Sequence, residues 1–588
     1  MKEFFKYVFA TIVGIVLSTI IIGILGLIVL VGMISSLDSD TKTTVKENSV
    51  LYLNLDQTII ERTPEDSFGK FFGGANDKSI GFNDVIKALK KAQSDENIKA
   101  VYINVSAPNA GMATMLEVRN AIIDFKKSKK PIIAYSEVYT QGAYYLASAA
   151  NKVYLNPEGD LEFKGFSSEL IFFKGALEKL GIEAQVIRVG NYKSAVEPFI
   201  NTKMSDYNRQ QVTAYVNSLY QTFLNGIAET RKIEKDSLYQ IANQYKIQFP
   251  KDALAYKMVD GLKYKDEVLD ELRNITGKGK KDDINSISIN DYIKNLPTQG
   301  NVASKNKVAV IYANGDIVGG EGSDEQIGSE RISRAIRKAR LDENVKAIVL
   351  RVNSGGGSAL ASDVIWREMV LSKKVKPVMA SFGDVAASGG YYIAAGADSI
   401  FVQPNTITGS IGVFGIIPNF QNLLNNKLGL TFDGVKTGQY ADIMSTNRPL
   451  TPGERAIIQK SVNKIYDTFI SKVADGRKKT KTQVDSLGGG RVWIGTEAVK
   501  NGLADRLGSF SDAVKSAATK AKLKDYRVVE YPEKIDPLKE LLSSAKDKVS
   551  AYYAKKEFGE NYLYYKQMQK TLTNSGIQTR MDYEIRIK

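Results

Sequence analysis

The chain has 588 residues, 43% hydrophobic and 25% charged, a globular composition whose length predicts roughly four structural units at about 150 residues each. It contains neither histidine nor cysteine, which excludes Ser-His-Asp triads, Cys-His dyads, histidine-ligated metals, thiolate zinc and Fe–S clusters. The net charge of +15 permits contact with anionic lipid or nucleic acid, but the basic residues are dispersed and no nucleic-acid-binding motif is present, so a solvated basic surface and no nucleic acid partner are expected.

The first predicted element is apolar. Residues 7–37 are 31 consecutive uncharged residues rich in Ile, Leu, Val and Gly, and about 20 helical residues cross a ~30 Å hydrocarbon core. Residues 1–40 are therefore expected to form a transmembrane signal anchor. A cleaved signal peptide has an apolar region of only about 7–15 residues, and no Ala-x-Ala follows Met33-Ile34-Ser35-Ser36. Lys2 and Lys6 precede the run while Lys42 and Lys46 follow it, so charge alone scarcely orients the span; the long domain behind it is expected outside the cytoplasm. No later segment is long and apolar enough to span, so the rest is expected to be water-soluble and tethered.

Beyond the anchor the chain repeats itself. Asp95-Glu96-Asn97-Ile98-Lys99-Ala100 recurs as Asp342-Glu343-Asn344-Val345-Lys346-Ala347, five identities in six at an offset of 247. Tyr144-Tyr145 matches Tyr391-Tyr392 at the same offset, and Lys179-Leu180-Gly181 matches Lys427-Leu428-Gly429 with one residue added. A tandem duplication follows. In the second copy, apolar runs at 308–312, 347–352 and 377–382 read as buried strands, with helical patterns at 331–339 and 359–371 between them. Each copy is thus an α/β unit of strand-helix crossovers. The polar stretch 278–305 reads as the junction. The run after about residue 537, rich in Lys, Tyr and Glu, matches nothing in the first copy and reads as a helical or partly disordered appendage.

In the second copy Ser388 falls at a strand-to-helix turn, where its Oγ is either exposed above the sheet edge or merely caps the helix. The free N–H groups at the helix start, beginning with Gly389, point where an oxyanion would form. The loop Asn353-Ser354-Gly355-Gly356-Gly357-Ser358 allows backbone to approach a substrate carbonyl and donate a second N–H. It lacks the lysine of a phosphate-binding loop, so nucleotide hydrolysis is not supported. The first copy has Gln141 in place of Ser388. Without histidine, a serine needs Lys, Asp or Glu as its base, and a lysine serves when desolvation or positive surroundings favour the neutral amine. Lys193, in Gly190-Asn191-Tyr192-Lys193-Ser194-Ala195, is the candidate, because its counterpart in the second copy is Ala441. One copy keeps the lysine and the other keeps the serine.

Ala387-Ser388-Gly389-Gly390-Tyr391-Tyr392, Thr408-Gly409-Ser410-Ile411-Gly412, Arg351-Val352-Asn353-Ser354 with its glycines, and the Lys193 segment together resemble the signal peptide peptidase A (protease IV) family, in its long, duplicated bacterial form. The resemblance covers the chain from the anchor to about residue 530. It implies crotonase-like and Clp-protease-like repeats at 48–295 and 306–537, followed by an uncovered extension at 538–588. It also implies a Ser388 nucleophile, Lys193 as base, Ser410 hydrogen-bonded to the lysine, and an oxyanion hole from Gly389 with Gly356 or Gly357. Gly355 departs from the proline of many members, leaving open which glycine donates. Further implications are no cofactor or metal, a homotetramer at the bacterial cytoplasmic membrane, and hydrophobic peptide substrates such as released signal peptides. A crotonase-like acyl-CoA enzyme and a catalytically idle membrane scaffold are the alternatives.

Overall fold

The computed structural model describes residues 2–37, 44–63, 79–294, 303–534 and 576–581. The N-terminal apolar run forms one helix, Lys2–Leu37, of which residues 6–26 have a mean hydropathy of 2.7 and bury nothing against the rest of the chain. By length and composition this helix can cross a bilayer.

Each repeat centres on a mainly parallel sheet, with Val492–Ile494 joining the second antiparallel. In the first, the strand order is Gly261–Leu262, Lys152–Leu161, Ile132–Tyr139, Ile98–Asn104, Ser49–Asn54, Ser286–Ser288. The second runs Val492–Ile494, Ile407–Gly409, Val378–Ala387, Val345–Ser354, Lys307–Asn314, Arg527–Tyr531, and Ser399–Val402 also pairs with Val378–Ala387. Strands buried on both faces need no polar alternation, which is why 347–350 reads as a continuous apolar run. Helices Ser329–Leu341 and Ala359–Lys373 lie where the periodicity places them. The stretch read as a junction is partly structured: Ser286–Ser288 and the helix Ile289–Ile293 close the first unit by burying Ile287, Ile289 and Tyr292.

The repeats share one core. Val308, Val310, Ala347 and Val349 from the second sheet pack in the same cluster as Leu51, Val101 and Phe82 of the first. Two polar ties cross the seam. Arg351 donates to Glu61 (2.8 and 3.2 Å) and to Glu117 (3.2 Å), all three side chains being buried. Burial drives the Glu117 carboxyl above its ordinary range, and Arg351 opposes that rise. Asp384 accepts from the Ala113 and Thr114 N–H groups and the Thr114 hydroxyl, so a carboxylate of one repeat caps the helix Met112–Phe125 of the other.

A third, mixed sheet joins both repeats to the C-terminal region: Gln326–Gly328, Asp316–Val318, Gly356–Ser358, Gly576–Arg580, Phe414–Asn419, Glu183–Arg188. This corrects the expectation for the tail, since residues 576–580 are neither helical nor an appendage but an inner strand. Residues 535–575 and 582–588 lie outside the described residues. Backbone pairing holds the strand in place, and composition does not encode such pairing.

Candidate active site

The strand Val378–Ala387 ends at Ser388, whose backbone adopts φ 54° and ψ −114° before the helix Gly389–Ala394 begins. A non-glycine residue there costs on the order of 1–3 kcal/mol and persists only where its surroundings enforce it. Here Ser388 N–H donates to Gly409 O at 2.8 Å and its carbonyl accepts from Tyr392 N–H. The side chain makes no capping bond. Capping therefore does not account for this serine.

Its hydroxyl instead meets a lysine from the other repeat. Lys193 Nζ lies 2.8 Å from Ser388 Oγ, 3.0 Å from Ser410 Oγ and 3.1 Å from Ser410 O. Lys193 is 1% exposed and Ser388 0%. The lysine is delivered by the strand Glu183–Arg188, whose antiparallel pairing with Phe414–Asn419 carries a first-repeat segment onto the second. Arg188 Nη1 donates to Lys193 O, and Gln211 Nε2 donates to Tyr192 O and Ser194 Oγ while its Oε1 accepts from Val492 N–H. Gly490 backs the lysine so closely that a Cβ there would lie 2.5 Å from Lys193 Cα, and one on Gly412 would lie 3.2 Å from Lys193 Cδ. Nothing in the sequence reading marks Gln211, Gly412 or Gly490 as supports of the lysine. The run Gly488-Gly489-Gly490 is a usable signal, whereas a helical glutamine offers none.

The glycine loop lies beside the serine. Gly356 N–H is engaged with Ser354 Oγ at 3.1 Å, and Gly357 pairs with Thr579 of the C-terminal strand. Gly356 and Gly389 are close neighbours, since a Cβ on Gly356 would lie 2.7 Å from Gly389 N. The first repeat has no such cluster among the described residues: Gln141 instead holds a loop, accepting from the Lys164 and Gly165 N–H groups and donating to Gly165 O. Ala441, at the lysine's pseudo-equivalent position, is exposed in a turn.

A strained serine, a buried amine and a glycine-rich backbone at one point are the apparatus of acyl transfer. The profile of peptidase family S49 matches residues 124–278 and 371–524, one segment in each repeat. The chain belongs to peptidase family S49. Protease 4 of Haemophilus influenzae is 38% identical over 511 residues, covering 84% of this chain and 83% of that one. A chloroplastic serine protease SPPA of Arabidopsis thaliana is 30% identical over 550 residues, covering 92% and 78%. Among solved structures, ClpP1 from Listeria monocytogenes aligns at 17% identity with a TM-score of 0.23, over 35% of this chain and 94% of that one. This S49 chain is a serine peptidase of the signal peptide peptidase type with two α/β repeats, which sets aside the acyl-CoA enzyme and the idle scaffold.

Proposed function

We propose that this chain is a membrane-anchored serine endopeptidase with a Ser388–Lys193 dyad, acting on hydrophobic peptides such as released signal peptides. The 2.8 Å approach of Lys193 Nζ to Ser388 Oγ carries this reading. A serine is a weak nucleophile until a base removes its proton, and burial disfavours an ammonium relative to the neutral amine that can do so. In the first step Ser388 Oγ bonds to the peptide carbonyl carbon while Lys193 Nζ takes the hydroxyl proton. The oxyanion is held by the N–H groups of Gly389 and Gly357. Collapse breaks the C–N bond, and the lysine passes its proton to the leaving amine. Water then attacks the ester, with Lys193 taking its proton and returning one to Ser388. Ser410, donating or accepting at 3.0 Å, keeps Nζ aimed at Oγ.

The helix Lys2–Leu37 supplies the proposed anchor, holding the site near a bilayer where apolar peptides collect. Chains are proposed to assemble as homotetramers with the bulk outside the cytoplasm. The test is direct: Ser388→Ala and Lys193→Ala should each lower kcat on a fluorogenic hydrophobic peptide by on the order of 10³-fold or more, with unchanged thermal melts. A serine-reactive probe should label Ser388 in the native chain and not in Lys193→Ala. Near-native turnover in either folded variant would end the dyad assignment.

A further inference from the structure

One buried carboxylate takes no part in the steps above. Glu197 is 0% exposed, and among the described residues the hydrogen-bond partners of its carboxylate are all neutral donors. Oε2 accepts from Ser205 N–H at 3.1 Å and from Asn208 Nδ2 at 3.0 Å, and Oε1 accepts from Ser205 Oγ at 2.5 Å. Ser205 caps the helix Asp206–Arg231, Asn208 lies in its first turn, and Gln211 follows one turn further along. Asn208 and Gln211 are buried as well.

This run of side chains ends on the backbone of the lysine. Lys193 adopts φ −76° and ψ 75°, and Ser194 N–H donates to Tyr192 O at 2.8 Å, which makes Lys193 the centre of an inverse γ-turn. The same Tyr192 carbonyl accepts from Ser194 Oγ at 3.1 Å and from Gln211 Nε2 at 3.2 Å. Gln211 Nε2 also donates to Ser194 Oγ at 3.0 Å and to Asn208 Oδ1 at 3.3 Å, while its Oε1 accepts from Val492 N–H at 3.2 Å. Val492 pairs with Gly409, which pairs in turn with Ala387. Gln211 therefore ties the turn that carries the amine to the strand beside those that lead into Ser388 and Ser410.

The bonds have a direction, and Glu197 sets it. A side-chain amide has one donating and one accepting end, whereas both oxygens of a carboxylate accept. Asn208 must turn Nδ2 towards Glu197, so Oδ1 faces Gln211. Gln211 must then present Nε2 to Asn208 and Tyr192 O, leaving Oε1 for the Val492 N–H, which can only donate. Reversing either amide sets donor against donor or carbonyl against carbonyl in a buried place, where an unmade hydrogen bond carries its full desolvation cost. We infer that Glu197 is a positioning residue for Lys193, holding its γ-turn through Asn208 and Gln211; the inference rests on the Ser388–Lys193 dyad proposed above. A reacting group displaced by about 1 Å can cost about 10²-fold in rate while substrate contacts stay in place.

Steady-state kinetics of full-length variants on a hydrophobic reporter peptide, with thermal melts beside them, test this. Glu197→Gln should lower kcat about 10- to 100-fold and leave KM within about twofold of native. Combining Glu197→Gln with Asn208→Asp exchanges amide and carboxylate: the amide at 197 donates to a carboxylate at 208 whose other oxygen still accepts from Gln211. That pair should recover kcat to within about threefold of native. Gln211→Met should show the loss of Glu197→Gln, and joining the two should add little, because both break one line of bonds. Near-native kcat in folded Glu197→Gln, a loss confined to KM, no recovery in the exchanged pair, or losses that multiply with Gln211→Met would each overturn the inference. Should Glu197→Gln not fold, near-native kcat in Gln211→Met overturns it instead. Native turnover in Lys193→Ala takes down the dyad and the inference together, whereas an inactive Lys193→Ala beside a fully active Glu197→Gln removes the inference alone.

Discussion

At Ser388 the backbone stores strain so that a hydroxyl can face away from its own helix, and Lys193 supplies the partner that makes this useful. A lysine has a flexible four-carbon stem, so burying it productively requires something to fix Nζ. Ser410 does so with both its hydroxyl and its carbonyl, at 3.0 and 3.1 Å. Ser410→Ala leaves only the carbonyl contact. Its kcat should fall about 10- to 100-fold with KM nearly unchanged, because a positioning bond is lost while substrate contacts remain. Steady-state kinetics on a peptide check this, and a change confined to KM would place Ser410 in substrate binding instead. Lys193 and Ser388 are legible as a reciprocal loss between copies, and Ser410 through the family resemblance. Gln211 is not, because its value lies in linking Tyr192 O and Ser194 Oγ to Val492 N–H across a helix, a loop and a strand far apart in sequence.

The long helix Pro452–Arg477, which buries Val462, Phe469 and Val473 in the second core, shows how one terminus can carry pH dependence. Thr451 and Glu454 form a capping box, and Arg448 clamps the Glu454 carboxylate at 2.8 and 2.6 Å. Arg448, aided by the Thr451 N–H, holds this carboxyl down to about 2 from its ordinary 4.5. A depressed carboxyl stabilises the fold fully above its unfolded value and loses that contribution as pH falls through the folded one. Glu454→Gln should therefore lower Tm at pH 7, by an amount matching about 1–2 kcal/mol, and the deficit should shrink between about pH 4.5 and 2. Calorimetric melts across that range check it; a deficit independent of pH would assign the effect to packing. Strands and helices are legible from period and apolar runs. The apolar run ends at 382 whereas the strand Val378–Ala387 continues, because beyond the bulge its small residues pair with Thr408 and Gly409 and give no apolar signal.

Across the whole chain, the duplication leaves one strand pairing made and its pseudo-equivalent unmade. Glu183–Arg188 pairs with Phe414–Asn419 within the chain, whereas the matching segments 431–436 and 167–172 belong to no helix or strand. Ile187 is accordingly 1% exposed while its counterpart Val435 is 100% exposed. Pairing these two segments between neighbouring chains repeats the internal contact, and a head-to-tail contact of this kind closes into a ring when its rotation permits. Such a contact would favour the proposed homotetramer. Val435→Asp should shift the assembly towards monomer in sedimentation velocity while leaving Lys193 and Ser388 together in each chain; an unchanged sedimentation coefficient would move the interface elsewhere. Because Gln141 and Ala441 replace the proposed dyad residues at the pseudo-equivalent positions, ring contacts would add no second copy of the proposed dyad.

The amino-acid sequence alone determined what chemistry was possible. Absent histidine and cysteine removed most nucleophilic machinery, a 247-residue offset exposed the duplication, and an apolar run of 31 residues marked a helix long enough to cross a bilayer. These are properties of residue type and spacing, which are local or additive along the chain. Tertiary structure alone decided that Gly356 N–H is engaged with Ser354, that Gly490 must lack a side chain, and that residues 576–580 are an inner strand of the mixed sheet. Each depends on which backbone groups face one another after folding, and every residue carries the same amide, so sequence holds no record of that choice.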